Sequence, residues 1–262
     1  MNKDSLRQAV NTITFFATVV VNSLANVLPL NSQTTAQISA RFPVYFTPAN
    51  YVFAIWGVIY LLLLGFTAYQ TLPAQRENPR LRRIGYLPAL AGVLNSGWIF
   101  LWHYNQFELT VPVMIGLLIT LITIYLRLDI GRASPSTREK WLVNLPFSVY
   151  LGWITIATIA NVTAVLYYLN WNGFGASPEV WTVAILLIGA AIASALIFTR
   201  ADLAYTLVVV WAYAGIVAKQ SVVPIVAGTA ALGALIVVAV LSAARLGRAQ
   251  RGQRQSEAFS PH

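Results

Sequence analysis

Long apolar stretches dominate this chain, and no water-soluble fold could bury them all. Eight run at about 10–29, 50–72, 84–104, 110–128, 141–169, 179–199, 203–219 and 222–244. A membrane-crossing helix needs roughly 20 mostly apolar residues, so the sequence predicts an all-α integral membrane protein with eight transmembrane helices. Only 10% of the residues are charged, against about 25% in an ordinary soluble domain. The stretches leave a first loop at about 30–49 and a basic tail over 245–262, where Arg alternates with small polar residues and disorder is expected. The first stretch is the most polar, with Asn11, Thr12, Thr14, Asn22, Ser23 and Asn26. Lys3 and Arg7 ahead of it resemble a signal peptide, but no good small-x-small cleavage site follows, so an uncleaved helix is expected.

Basic residues orient the chain. Lys3, Arg7, Arg76, Arg80, Arg82, Arg83, Arg127, Arg132, Arg138, Lys140, Arg200, Arg245, Arg248, Arg251 and Arg254 fall on one side of an eight-span arrangement, and only Arg41 and Lys219 on the other. Positive loops face the cytoplasm, which places both termini inside and makes the span count even. The net charge of +9 then reports loops against an anionic leaflet rather than a nucleic-acid surface. The expected location is a bacterial inner membrane, with the lipid bilayer as partner and no nucleic acid.

The chemistry available is narrow. There is no Cys and there are two His, one of them the last residue, His262. Disulfides, thiolate nucleophiles and multi-His metal sites are therefore excluded. No Asp, Glu or Lys falls in the middle of a stretch, which speaks against an ion-coupled pump and against acid–base or nucleophilic catalysis. An enzyme is the least supported class. His103, near the end of its helix, is the one candidate axial ligand for haem, and solvation at the interface is expected for it.

Trp, Tyr and Asn recur at helical spacing instead. Phe53, Trp56 and Tyr60 fall at i, i+3, i+7, as do Asn95, Trp98 and Trp102; Tyr150, Trp153, Ala157 and Asn161 follow at i, i+3, i+7, i+11. Each set lines one helix face. Spacing alone fits helix packing, with Asn as interhelical glue. If the faces converge they form an aromatic box suited to a flat, conjugated, hydrophobic ligand.

The same residues carry a resemblance. The segments YVFAIWGVIYLLL from Tyr51, LNSGWIF from Leu94 and YLGWITIATIAN from Tyr150 to Asn161 resemble the second, third and fifth helices of the translocator protein / tryptophan-rich sensory protein family (TspO/MBR). The family's W-x-x-x-Y, L-N-x-x-W and Y-x-x-W…N patterns fall on Trp56 and Tyr60, on Asn95 and Trp98, and on Tyr150, Trp153 and Asn161. Residues 1–170 would then form a TspO-like five-helix domain, 171–244 a three-helix membrane extension, and 245–262 a cytoplasmic tail. The resemblance implies a membrane-embedded binding protein for porphyrin-like or other hydrophobic molecules, in a sensory or transport role. It implies a ligand site at Trp56, Tyr60, Asn95, Trp98, Tyr150, Trp153, Ala157 and Asn161. No obligatory cofactor is expected; porphyrin or haem enters as ligand, and Arg41 is the nearest partner for a carboxylate edge. A small-molecule permease and a homodimer stay open. Three departures stand out. Thr47-Pro48-Ala49-Asn50-Tyr51 replaces the family's Pro-Pro-x-Trp, Val149 replaces a proline beside Tyr150, and three further helices follow the fifth.

Overall fold

A computed structural model describes residues 2–28 and 30–258, with side chains to residue 250. Its regular elements are helical, with no strand among the described residues. They are α1 (Lys3–Val27), α2 (Thr35–Ala40), α3 (Ile55–Thr71), α4 (Pro79–Ile84), α5 (Leu87–His103), α6 (Phe107–Arg127), α7 (Thr137–Glu139), α8 (Leu145–Tyr168), α9 (Pro178–Arg200), α10 (Leu203–Lys219) and α11 (Pro224–Ala258). A 3-10 turn over Asn50–Ala54 feeds α3, and a π turn over Lys140–Asn144 joins α7 to α8. That π turn lies just ahead of Pro146, whose missing N–H breaks the i→i−4 ladder.

Among the described residues, six helical segments are long and apolar enough to cross a membrane: Lys3–Val27, Asn50–Thr71, Phe107–Arg127, Thr137–Tyr168, Pro178–Arg200 and Pro224–Gln250. α5 and α10 are shorter, at 17 residues each. α11 continues through Ala258, past the point where the polar composition suggests disorder. Residues 259–262 of the expected tail lie outside the described residues.

Helix boundaries follow local chemistry. Ser136 and Glu139 form a capping box at α7, and Ser177 caps α9 ahead of Pro178. Asp202 caps α10 by accepting from the backbone N–H groups of Ala204 and Tyr205.

The helices pack in two groups. α1 contacts α3 and α5, α5 contacts α6, and α6 and α3 both contact α8, which closes a five-helix ring. α10 docks on the outer face of α8, and α9 and α11 pack together beyond it. α8 therefore touches both groups, and the segment it belongs to is the most buried of the six long apolar ones. Glycines set the close approaches. A Cβ on Gly92 of α5 would stand 2.7 Å from Thr18 Oγ1 of α1, and one on Gly152 of α8 would stand 3.0 Å from Val208 of α10. Within the second group the tight contact forms at Ala230 and Gly233, both buried. A Cβ on Gly228 would meet nothing within 4 Å.

Candidate functional site

The five-helix ring encloses a cavity of about 480 Å³. Trp56, Tyr60, Asn95, Trp98, Trp153, Ala157 and Asn161 all line it. Their helical spacing does converge from α3, α5 and α8 onto one space. Tyr150 stands behind the wall: its hydroxyl accepts a 3.1 Å hydrogen bond from Asn95 Nδ2, and its ring lies 6.1 Å from that of Trp56.

Aromatic rings order the lining. On α3, Trp56 and Tyr60 stack with centroids 5.6 Å apart at 20°. Trp153 of α8 meets Trp56 edge-on at 6.1 Å and 84°, and Phe53 at 5.8 Å and 86°. Opposite them on α5, Trp98 and Trp102 stack at 5.2 Å and 17°. Rings held edge-to-face lock one another's rotamers. Small residues at Gly57, Ala157 and Ala160 leave the space between.

The two asparagines are already engaged by the protein. Asn95 Oδ1 accepts from Asn22 Nδ2 of α1 at 2.8 Å while its Nδ2 donates to Tyr150. Asn161 Oδ1 accepts from Trp98 Nε1 at 3.3 Å, and its Nδ2 donates to Thr110 Oγ1 of α6 at 2.9 Å. They clamp α1, α5, α6 and α8 around the space. Three polar atoms on lining residues are buried without a partner: Tyr60 OH, Trp102 Nε1 and Trp153 Nε1. Such atoms are rare in folded proteins and costly.

Sequence reasoning missed part of the lining. Asn22, Ser23 and Asn26 of α1, Thr47 and Pro48 of the first loop, and Met114 and Leu117 of α6 also contribute. The polar run on α1 was the available signal, because amides inside an apolar helix need partners. Two expectations fail. His103 is fully buried rather than solvated, with Nδ1 2.8 Å from Ile99 O and Nε2 3.5 Å from Thr35 Oγ1. It is not on the cavity wall. Arg41 is also off the wall: its guanidinium donates to Asn105 Oδ1 at 2.6 Å and lies over the Phe107 ring, although its neighbours Ser39 and Phe42 do line the cavity.

No curated protein and no solved structure matches the chain. A sequence profile of the family described as TSPO-like protein matches residues 8–243, from α1 into α11. The chain is an integral membrane protein and belongs to the TSPO-like protein family.

Proposed function

We propose that this protein binds flat, conjugated, hydrophobic small molecules of the porphyrin type inside its five-helix ring, in a sensory or transport role. The observation that carries this reading is the aromatic cavity itself, where the faces of α3, α5 and α8 converge and bring Trp56, Trp98 and Trp153 to one space. Its volume falls in the range of about 300–1,000 Å³ usual for small-molecule sites. Stacking supplies affinity, at about 0.5–1.5 kcal/mol for each good aromatic pair beyond area burial. The carboxylate edge of a porphyrin must reach water, since no cation lines the cavity. The side toward α2 offers that edge, because Thr35, Ser39 and Phe42 line it there.

Binding is favoured over permeation by where the lining stops. It reaches Tyr60 on α3 and Leu117 on α6, and includes no residue from the basic ends of the helices. A permease needs a path to both faces. The proposal includes eight membrane crossings with both termini on the basic side, α5 and α10 spanning despite their length.

Titration with protoporphyrin tests the site. Saturable quenching of tryptophan fluorescence is expected, and Trp153→Ala weakens it about tenfold, the equivalent of about 1.4 kcal/mol. Trp181→Ala, whose ring packs 4.5 Å from Trp171 at the far end of α9, leaves it unchanged. Equal effects from the two substitutions, or no saturable quench, remove the porphyrin reading and put the permease reading ahead.

A further inference from the structure

A second concavity, of about 960 Å³, lies outside the ring, between α3, the π turn ahead of α8, and α10. It exists because α10 docks on α8. Its lips are apolar and exposed: Val58 of α3, Trp141 of the π turn, and Leu207 and Trp211 of α10. α10 lines it from Leu203 to Trp211, about 12 Å of helix at 1.5 Å per residue. That approaches the roughly 15 Å depth of one leaflet's hydrocarbon. Trp211 ends the groove, held by a 3.1 Å bond from its Nε1 to Val52 O.

The other end is cationic. Lys140 and Arg245 both line the groove there. Neither side chain has an ion-pair or hydrogen-bond partner among the described residues, whereas Arg200 is bound to Asp129 and Arg248 to the carbonyls of Gly131 and Thr199. One acid lines the groove, Asp202, and its oxygens are taken by Tyr125 OH, Ser148 Oγ and two backbone N–H groups. The result is an apolar slot of leaflet depth headed by two uncompensated cations.

We propose that this groove seats an anionic phospholipid. Its phosphate lies against Lys140 and Arg245, and one acyl chain runs along Leu207 and Val208 to Trp211. Trp141 stands at the headgroup level, where tryptophan is favoured. Charge complementarity selects the occupant. A zwitterionic lipid brings an ammonium toward two cations, and a free phosphate leaves the slot's apolar walls uncovered. This proposal is independent of the porphyrin reading, since the groove and the cavity share no lining residue.

The test uses the full chain, incubated in detergent with equal phosphatidylglycerol and phosphatidylcholine, with retained lipid counted by native mass spectrometry. One phosphatidylglycerol per chain is expected, in clear excess over phosphatidylcholine. Each cation near an anionic headgroup contributes about 1 kcal/mol, so K140Q/R245Q lowers phosphatidylglycerol retention roughly 30-fold. Ala204→Trp fills the slot, keeps both charges and lowers retention as well. An unchanged melting temperature in detergent shows that each variant is folded. A variant that melts early is replaced by Lys140→Gln alone, for which a roughly fivefold loss is expected. Equal retention of the two lipids, or retention indifferent to the charge variants, overturns the proposal. Displacement by inorganic phosphate reassigns the cations to a free-anion site, and a dimer that Ala204→Trp dissolves reassigns the groove to a second copy; either result also overturns it.

Discussion

Asp202 gathers four hydrogen bonds on one buried carboxylate, from Tyr125 OH at 2.9 Å, Ser148 Oγ at 2.6 Å, and the N–H groups of Ala204 and Tyr205 at 3.0 and 3.2 Å. It joins the ring, through α6 and α8, to the first turn of α10. Removing it orphans two buried hydroxyls and a helix cap together. Asp202→Ala should therefore destabilise the protein by about 3–7 kcal/mol, from roughly 1–3 for each orphaned hydroxyl and about 1 for the cap. Asp202→Asn keeps one carbonyl acceptor and should cost less than half as much. Thermal unfolding in detergent reads both, and an Asp202→Ala midpoint equal to that of the unaltered chain would discard the network. In the sequence Asp202 reads only as a polar residue at a helix end, because its partners lie 77 and 54 positions away. The site residues were legible for the opposite reason. Trp56, Trp98 and Trp153 each belong to a face that one helix defines by itself. Which polar atoms stay free was not legible, since Asn95 and Asn161 are taken by side chains on other helices.

Two kinds of helix contact hold the elements together. α1 uses amides: Gln8 Nε2 donates to Gln70 O, Gln70 Nε2 returns a bond to Gln8 O, and Asn11 bonds both Gly85 O and Ala89 N. The polarity that makes α1 the least membrane-like stretch in sequence is thus how it binds its neighbours, through side-chain bonds that replace water. The second group uses shape. Tyr213 of α10 is fully buried, anchored by its hydroxyl to Leu186 O at 2.7 Å. A Cβ on Gly189 of α9 would lie 2.7 Å from its hydroxyl, and one on Gly233 of α11 would lie 2.5 Å from its ring. The ring thus fits a hole made by two glycines. Gly233→Ala should cost about 1–3 kcal/mol, because a tightly packed ring must shift. In a Tyr213→Leu background the same change should cost much less, since the pair is coupled. The cycle is read by melting temperature, and an equal cost in both backgrounds would refute the fit. The register that brings Gly233 rather than Gly228 against Tyr213 depends on where that ring points, which no single helix encodes.

At the scale of the whole molecule, segments far apart in sequence are tied into two opposite ends. At one end Arg7 donates to Arg76 O, Arg82 pairs with Asp4 at 2.6 Å, Arg80 bonds Asn144, Arg127 bonds Arg83 O, Arg200 pairs with Asp129, and Arg248 bonds Gly131 O. At the other end, among the described residues, none of the ties is an ion pair: Asn31 bonds His103 O, Arg41 bonds Asn105, Tyr45 donates to Glu179, and Gln220 donates to Tyr45 O. α5 runs between the two ends from Leu87 to His103, and α10 from Leu203 to Lys219. At 17 residues each spans about 25 Å, a few ångströms less than the roughly 30 Å hydrocarbon layer. Local thinning of the bilayer and snorkelling flanks accommodate that at modest cost. The proposed eight crossings rest on eight helices that each run between the two ends, and the proposal puts the basic end in the cytoplasm. Reporter fusions should therefore place Gln75, Ser134 and the C-terminus in the cytoplasm, and Gln33 and Gly173 outside. A C-terminus found outside would break the parity, and α5 or α10 would then be a helix that enters the membrane without crossing it.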